Sequence, residues 1–235
     1  MIKKNFLAII PARSGSIRLK NKNLLKFCNK PLISYSILEA LKVNQIDEVI
    51  VSTNSKQIAR ISSRFGASVP FIRPDYLSNS NTPSYKVVTH AINHFKRNNI
   101  FFKNIILLQP TSPLRKAKHI REALKLFKNK RANGVISVTE NDHPLEWINH
   151  IGCSLSLNKF IKKIYINQNS DQLKKCYKLN GAIYISNSNQ LEKQKNFFLK
   201  KKLYAYKMEK KYSVDIDTKL DFEYAEFLKL KSKKK

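Results

Sequence analysis

Short apolar runs alternate with amphipathic segments along most of this 235-residue chain, and this alternation constrains the fold more than any other feature. The apolar runs are rich in Ile, Val and Leu, as buried parallel strands are, and they cover residues 6–10, 48–52, 105–109, 134–138 and 182–185. Apolar spacings of three and four between these runs predict helices over residues 31–42, 55–65, 84–97, 117–128 and 219–229. This order predicts an α/β fold with an open, mainly parallel sheet flanked by helices.

Residues 141–178 interrupt the alternation. They contain the only tryptophan, Trp147, and few strand patterns, and all eight prolines of the chain lie at or before Pro144. We therefore expect one domain over residues 1–230, with 141–178 as an excursion from the sheet that serves as a dimerisation arm. Residues 231–235 are rich in lysine and are expected to form a solvated basic tail.

The chain is strongly basic, with 45 Lys and Arg against 16 Asp and Glu, which gives a formal charge of +29. A field of this size attracts nucleic acid, anionic membrane or an anionic substrate. The lysines are nevertheless spread along the whole chain beside abundant Asn and Ile, as compositional drift in an AT-rich genome would leave them. Composition alone leaves both explanations open.

The cysteines and the apolar runs indicate the compartment. Cys28, Cys153 and Cys176 have no short spacing, so the sequence predicts neither a disulfide framework nor a zinc site. No apolar run reaches the roughly 18 to 20 residues of a membrane span, and the N-terminus leads directly into a predicted strand without the apolar region of a signal peptide. We expect a cytoplasmic protein with reduced thiols.

A basic loop follows the first predicted strand. Ser14, Gly15 and Ser16 form a turn in which backbone N–H groups can converge, because glycine tolerates positive φ. Residues 8–27 contain no acid but five cations, namely Arg13, Arg18, Lys20, Lys22 and Lys26. The loop suits a polyphosphate, although it lacks the Gly-Lys-Ser/Thr of a Walker A loop. A basic surface turn is the alternative.

The segment LLQPTSPLR at residues 107–115 ends a predicted buried strand at Gln109 and adds two prolines. A loop made rigid in this way can turn the Gln109 amide, Thr111, Ser112 and Arg115 towards a ligand. The alternative is a Ser or Thr that caps the helix after Arg115. Parallel α/β sheets bind ligands beyond the carboxyl ends of their strands, and this loop lies at such an end.

Two carboxylates alternate with an isoleucine in SVDIDT at residues 213–218. On an extended segment Asp215 and Asp217 point the same way while Ile216 faces the core. Convergent carboxylates in so basic a chain suit a hard divalent cation such as Mg²⁺, which in turn bridges a triphosphate. Alternatively, Asp217 or Thr218 caps the last helix.

Eight segments of the chain occur in the order and spacing of one enzyme family: IIPARSGSIRLKNKNL, KPLISYSI, DEVIVSTNS, FIRP, TPS, LLQPTSPLR, NGAIYI and DIDT. Together they resemble the CMP-sialic acid synthetases, the acylneuraminate cytidylyltransferases, over residues 6–228. The resemblance implies a Rossmann-like nucleotidyltransferase fold and one cytidylyltransferase domain over residues 1–230. It also implies a reaction of CTP with a nonulosonic (sialic-type) acid to give CMP-sugar and pyrophosphate, in a homodimer that uses Mg²⁺ or Mn²⁺.

The same resemblance implies a role for each site residue. The implied nucleotide-binding residues are Arg13, Ser16, Lys22, Asn23 and Ser84. Those at the sugar are Gln109, Asn180, Tyr184, Phe197 and Phe198, with the phenylalanines packing on an acyl group and residues 141–178 contributing to the sugar site. The metal pair is Asp215 and Asp217, and the catalytic set is Arg13, Lys22, Asp215 and Asp217. Asp215 is our candidate to accept the proton of the attacking hydroxyl.

Departures from the family pattern leave the sugar open. The family usually has Arg-Gln-Asp-Leu-Pro where this chain has SDQLK at residues 170–174, so the arginine is missing. Glu146 and Trp147 follow His143 and Pro144, closer to relatives with aromatic residues there, some of which act on legionaminic acid. One alternative is an octulosonate-type enzyme, whose first loop differs. The other is a basic nucleic-acid-binding or inactive descendant of the fold.

Overall fold

The computed structural model describes residues 1–16 and 18–232. Residues 233–235 of the expected basic tail lie outside the described part of the chain. The strands are β1 Ile2–Pro11, β2 Lys26–Phe27, β3 Lys30–Pro31, β4 Glu48–Ser52, β5 Ile100–Leu107, β6 Gly134–Glu140, β7 Tyr177–Asn187 and β8 Leu203–Met208. The helices are α1 Leu32–Leu41, α2 Lys56–Arg64, α3 Ser84–Arg97, α4 Ala117–Asn129, α5 Ser188–Gln194 and α6 Lys219–Lys231.

Six strands form the main sheet in the order β4-β1-β5-β7-β6-β8. β1 is parallel to β4 and β5, and β6 is parallel to β8. β7 runs antiparallel to both of its neighbours, with Ile185 opposite Ile106 on one side and Val135 on the other. The α/β class with an open, mainly parallel sheet is therefore confirmed, and β2 and β3 form a separate two-stranded ribbon.

The direction of β7 corrects one expectation. The apolar run at 182–185 was expected to be a parallel strand, but it belongs to an antiparallel one. Burial on both faces makes any central strand apolar, so an apolar run does not encode its direction. β7 enters the sheet from the irregular stretch before it rather than from a crossover helix.

Alternation along β1 divides the core between the two faces of the sheet. Phe6, Ala8 and Ile10 pack on the side of α1 and α4, whereas Leu7 and Ile9 pack on the side of α3. This is the period-two pattern of a strand with both faces covered. Because helices cover both faces, the carboxyl ends of the strands and the loops after β1 and β5 are the parts of the sheet that remain accessible.

A third apolar cluster anchors the segment before α6. Ile216 is fully buried against Phe27 and Leu114, and its N–H donates to the Thr111 carbonyl at 2.9 Å. Thr218 is the N-cap of α6 and accepts a hydrogen bond from the Asp221 N–H at 3.2 Å. Because the buried isoleucine fixes this segment, Asp215 and Asp217 on either side of it are held near the carboxyl ends of the strands.

The excursion at 141–178 contains three short 3₁₀ turns, Leu145–Trp147, Lys163–Tyr165 and Ser170–Gln172, and most of its side chains are exposed. The sequence analysis did not predict α5 or β8 and placed the start of β5 five residues too late. No helix in the described residues is long and apolar enough to cross a membrane.

Candidate active site

The loop after β1 is held open by side-chain hydrogen bonds to its backbone. The Asn23 amide donates to the Arg13 carbonyl at 3.0 Å, and the Asn54 amide oxygen accepts from the Ser14 N–H at 3.1 Å. Asn21 adopts left-handed φ of 53° and starts the 3₁₀ turn Lys22–Leu24. The loop therefore curls back so that residues from both of its ends face one space.

That space is a cavity of about 620 Å³ at the carboxyl ends of β1 and β5. Its polar lining consists of Arg13, Ser16, Arg18, Lys22, Asn23, Ser80, Gln109, Thr111, Asp215 and Asp217. Three cations and two carboxylates thus share the lining. The structure brings together seven of the predicted site residues here, including the whole catalytic set.

Asp217 is the electrostatic centre of the cavity. Its Oδ1 accepts from Lys22 Nζ at 3.0 Å and its Oδ2 accepts from the Arg18 guanidinium at 2.7 Å. Burial acts to raise the pKa of Asp217, but the hydrogen bond and charge of Lys22, with the charge of Arg18, outweigh it and lower the pKa. Asp217 is therefore ionised at neutral pH.

Asp215 lies in the same cavity and behaves in the opposite way. Loss of surrounding water and the nearby charge of Asp217 raise the pKa of its carboxyl group, while a hydrogen bond from Thr111 and the charge of Lys22 only partly compensate. The residue is reached by solvent through the cavity mouth. Two adjacent carboxylates whose pKa values diverge suit different tasks, with the more basic one suited to proton transfer.

Two smaller cavities share lining residues with the first or with each other. One of about 160 Å³ shares Arg13 and Ser80 with it and is also lined by Arg73 and Ser84. The other, of about 410 Å³, shares Ser84 with the second cavity and Gln109 with the first. Ser84 and Gln109 thus each line two adjacent cavities.

The 410 Å³ cavity has aromatic walls. Tyr184 lies with its ring centroid 5.5 Å from that of Phe197, and Phe198 joins them at the rim. Phe197 is buried, whereas Phe198 is 52% exposed. Burial and the charge of Asp215 raise the pKa of Tyr184, so its hydroxyl is neutral at physiological pH. Four of the five predicted sugar residues line this cavity.

Asn180 is the fifth, and the structure does not bring it to any of these three cavities. Its amide oxygen accepts from Ser137 Oγ at 2.6 Å and its amide nitrogen donates to Ser213 Oγ at 3.0 Å. The side chain is 3% exposed and its hydrogen-bonding groups are used internally. These bonds tie β7 to β6 and to the start of the Asp215 segment.

Arg115 and Ser112 also face the interior instead of a ligand. Arg115 is 1% exposed, and its guanidinium donates to the Gln109 carbonyl at 3.1 Å and to the Ala182 carbonyl at 2.7 Å. Burial lowers its pKa to about 9. Arg115 therefore holds the loop that carries Gln109. Lys116 rather than Ser or Thr occupies the N-cap of α4.

Two residues near these cavities were given no role in the sequence analysis. Arg73 lines the 160 Å³ cavity as a 3% exposed cation beside Arg13, and burial lowers its pKa to about 10. Gly181 has φ of 70°, and a Cβ there would lie 2.6 Å from the Gln109 amide oxygen. The arginine of FIRP and the glycine of NGAIYI were the available signals.

Gly181→Ala tests whether the close approach of β7 to Gln109 matters. The substitution puts a side chain at positive φ, which costs about 1–2 kcal/mol, and pushes the Gln109 amide away. We expect a lower thermal midpoint and, for the CTP and sugar that the resemblance implies, a several-fold rise in the KM of the sugar with a smaller change in the KM of CTP. Ala182→Gly, one residue along the same strand, controls for general loss of stability. Unchanged kinetics in a destabilised Gly181→Ala protein would contradict this role for Gln109.

Comparison with known proteins decides the family. A family model described as Cytidylyltransferase matches residues 7–234. The chain belongs to the cytidylyltransferase family. It is 37% identical over 228 residues to the CMP-N,N'-diacetyllegionaminic acid synthase of Legionella pneumophila, covering 94% of this chain and 95% of that protein. The resemblance expected from the eight segments is confirmed.

Two further comparisons place this cytidylyltransferase among its relatives. It is 37% identical to the N-acylneuraminate cytidylyltransferase of Escherichia coli, covering 95% of this chain and 52% of that protein, so it spans about half the length of that relative. Its fold matches that of a CMP:2-keto-3-deoxy-manno-octonic acid synthetase solved with CTP, with a TM-score of 0.71 at 16% identity over 97% of this chain and 100% of the other. The nucleotidyltransferase fold is therefore confirmed.

The cavity fits a divalent cation that accompanies a nucleotide. In the described residues no three His, Cys, Asp or Glu side chains form a metal cluster. Mg²⁺ in nucleotide sites is usually held by only one or two carboxylates, with phosphates and water completing its octahedral shell. Asp215, Asp217 and the Gln109 amide oxygen are hard oxygen donors in one cavity, so this donor set suits such an ion.

Proposed function

We propose that this cytidylyltransferase joins CTP to a nonulosonic acid and releases pyrophosphate. The observation that carries the proposal is that a cavity lined by three cations and two carboxylates adjoins an aromatic pocket, with Gln109 lining both. The charged residues of the first cavity suit a triphosphate, and the aromatic walls of the second suit the acyl group of a sugar. The names of the relatives from Legionella pneumophila and Escherichia coli support this class of acceptor.

Arg13 and Lys22 are proposed to hold the triphosphate. Guanidinium and ammonium groups offset charge on phosphate oxygens most strongly where the site is shielded from bulk water. Ser16 adds a hydroxyl, whereas Asn23 acts through its hydrogen bond to the Arg13 carbonyl. The 160 Å³ cavity with Ser84 and Arg73 takes the cytidine end of the nucleotide.

The chemical step is proposed to occur beside Asp215. The anomeric hydroxyl of the sugar attacks the α-phosphorus, a P–O bond forms, and the bond to the pyrophosphate oxygen breaks with its electron pair leaving on pyrophosphate. Asp215 takes the hydroxyl proton, for which its place in the cavity beside Gln109 and Thr111 suits it. Mg²⁺ or Mn²⁺, held by Asp215 and Asp217, would supply positive charge to the phosphate oxygens.

The aromatic pocket is proposed to select the acyl group of the sugar. Phe198→Ala removes an exposed wall, so we expect the KM of the sugar to rise about fivefold, equivalent to ~1 kcal/mol of lost apolar contact, with the KM of CTP unchanged. Because Phe198 is half exposed, the fold should tolerate the change. Tyr76→Ala, which alters an aromatic residue outside this cavity, is the control. An equal rise in both KM values would contradict the assignment.

Pyrophosphate release with CTP and a panel of acids tests the proposed reaction. The panel contains neuraminic, legionaminic and pseudaminic acids and the shorter octulosonate. We expect release with at least one nine-carbon acid and little with octulosonate, and the CMP-sugar should appear in equal amount by mass spectrometry. Release with octulosonate alone would favour the alternative acceptor class, and no release with any acid would refute the proposal.

We further propose that the protein is a homodimer that acts in the cytoplasm, where it activates sugars for cell-surface glycans. The support for the dimer is the number of exposed apolar side chains in one segment: Leu145, Ile148, Ile151, Leu155, Leu157, Ile164 and Ile166 are each more than half exposed. Exposed apolar side chains in such numbers are typical of a protein contact. The proposal includes no specific nucleic-acid partner and no membrane insertion.

Ile164→Asp tests the arm directly. Ile164 is 68% exposed, so a carboxylate there leaves the protomer folded but places a charge in the proposed contact. We expect light scattering after gel filtration to show a dimer for the wild type and a monomer for the variant. Leu220→Asp on α6 is a matched control, since that leucine is 74% exposed and lies outside the arm. A wild-type monomer, or a variant that remains dimeric, would contradict this interface.

A further inference from the structure

Asp217 forms ion pairs with two side-chain cations that a bound triphosphate needs. The cavity lining contains three cations, and Asp217 pairs with two of them, Lys22 at 3.0 Å and Arg18 at 2.7 Å. Lys22 is further held by the Ile216 carbonyl, which accepts from Nζ at 2.6 Å. The Lys22 side chain is only 13% exposed, so the Lys22–Asp217 pair is partly shielded from solvent, whereas the Arg18 side chain is 67% exposed. In this arrangement Arg13 is the lining cation without an ion pair among the described residues.

A triphosphate without a divalent cation therefore meets an unfavourable site. To bind, it must draw Lys22 and Arg18 away from Asp217. The released carboxylate is then left beside phosphate oxygens of the same sign, in a partly shielded cavity where repulsion is stronger than in water. The ion pairs that the phosphates form with Lys22 and Arg18 are therefore offset by the two that Asp217 gives up.

A triphosphate that carries a divalent cation meets a different site. Asp217 receives the cation as a new partner at the moment when it gives up Lys22 and Arg18, so no charge is left unpaired. The two released side chains then bind phosphate oxygens. In this exchange each of these charged groups keeps an oppositely charged partner. In the metal-free case the Asp217 carboxylate is left without one.

We propose that Asp217 makes the site selective for the cation-loaded triphosphate by sequestering Lys22 and Arg18 until a divalent cation replaces them. This inference deepens the proposed function and rests on it for the identity of the nucleotide. Asp215 does not share the role, because Thr111 rather than a cation is its hydrogen-bond partner. Asp217 is thus a specificity-determining residue as well as a metal ligand.

The test is the affinity for inorganic triphosphate, measured by titration calorimetry with EDTA and, separately, with excess Mg²⁺. Asp217→Asn frees Lys22 and Arg18 without leaving an anion, so we expect it to bind triphosphate in EDTA about tenfold more tightly than the wild type does. We also expect Mg²⁺ to improve binding at least tenfold in the wild type and no more than about threefold in the variant, since coupling between two ligands is reciprocal.

Glu223→Gln is the matched control, because it removes the same charge from an exposed side chain on α6 that lies outside the cavity. It should stay within about twofold of the wild type in EDTA. Thermal melting of each variant verifies the fold. Asp217→Ser serves as a second variant, because it also releases both cations.

Equal or weaker binding of triphosphate to Asp217→Asn in EDTA, including no detectable binding to either protein, would overturn the inference. A tightening of the same size in Glu223→Gln would also overturn it, because net charge alone would then explain the effect. If the wild type turns over CTP but Asp217→Asn does not bind triphosphate more tightly, the proposed charge exchange is refuted and the proposed reaction is left intact. If Asp217→Asn binds triphosphate more tightly but the wild type turns over CTP with none of the acids, the charge exchange is supported and the proposed reaction is refuted.

Discussion

Asp217→Asn is expected to lower kcat/KM for cytidylyl transfer by about a thousandfold or more, or ~4 kcal/mol of transition-state stabilisation. The substitution removes one proposed anionic ligand of a hard cation, and with that cation the positive charge that the developing pyrophosphate requires. The fold should persist, because the side chain is 45% exposed and the hydrogen bond from the Asp217 N–H to Asp221 does not involve it. Pyrophosphate release at saturating Mg²⁺ measures the effect.

The same variant separates binding from turnover. It should bind metal-free triphosphate more tightly while turning over far more slowly, a combination that a misfolded protein cannot show. Glu223→Gln should retain wild-type turnover. Near-normal activity of Asp217→Asn with an unchanged dependence on Mg²⁺ would contradict the metal assignment.

Lys22→Ala is expected to lower kcat/KM for CTP at least tenfold, about 1.4 kcal/mol or more. Lys22 lines the 620 Å³ cavity and its ammonium lies between Asp217 and the Ile216 carbonyl, where a phosphate oxygen can replace the carboxylate. Loss of this cation should raise the KM for CTP and lower kcat. Initial rates at varied CTP and saturating sugar measure both.

Lys20→Ala is the control for charge alone. Lys20 lies two residues away in the same loop, is exposed and does not line the cavity. Salt screens an exposed charge outside the cavity more strongly than one that contacts the ligand, so kcat/KM should change less than about threefold. Equal losses in the two variants would show that the overall basic field, rather than Lys22, governs use of CTP.

The sequence was sufficient for the parts of the fold that depend on local pattern. Residues 6–10 form a continuous apolar run and α3 shows a helical apolar stripe, so a buried strand and a helix followed from the local pattern. The antiparallel direction of β7 could not be predicted in this way, because the pairing direction of a strand depends on how the chain enters the sheet. β8 was missed because an edge strand with a lysine and two half-buried tyrosines lacks the apolar signal of a central strand.

The site was predictable in composition but not in arrangement. Residue chemistry and the resemblance identified Arg13, Lys22 and the two aspartates, and the structure places all four on one cavity. Whether a polar side chain in a loop faces the cavity or the core depends on tertiary packing. Arg115 and Asn180 both satisfy interior backbone and side-chain groups, and the sequence offered no signal for that choice.

The pairing of Lys22 and Arg18 with Asp217 could not have been read from the sequence either. It joins residues 195 and 199 positions apart and depends on Ile216 being anchored in the third apolar cluster. Only the folded chain brings the first loop against the segment before α6. The charge exchange proposed above therefore depends on tertiary structure.

A crystal structure of the protein with CTP and Mg²⁺, in the absence of sugar, tests the central claim most directly. We predict the triphosphate in the 620 Å³ cavity against Arg13 and Lys22, the cation between the phosphates and Asp217, and the cytidine towards Ser84. In that structure Lys22 and Arg18 should have left Asp217 for phosphate oxygens. A nucleotide bound outside this cavity, or one bound with the Lys22–Asp217 contact still intact and no cation at Asp217, would contradict the account.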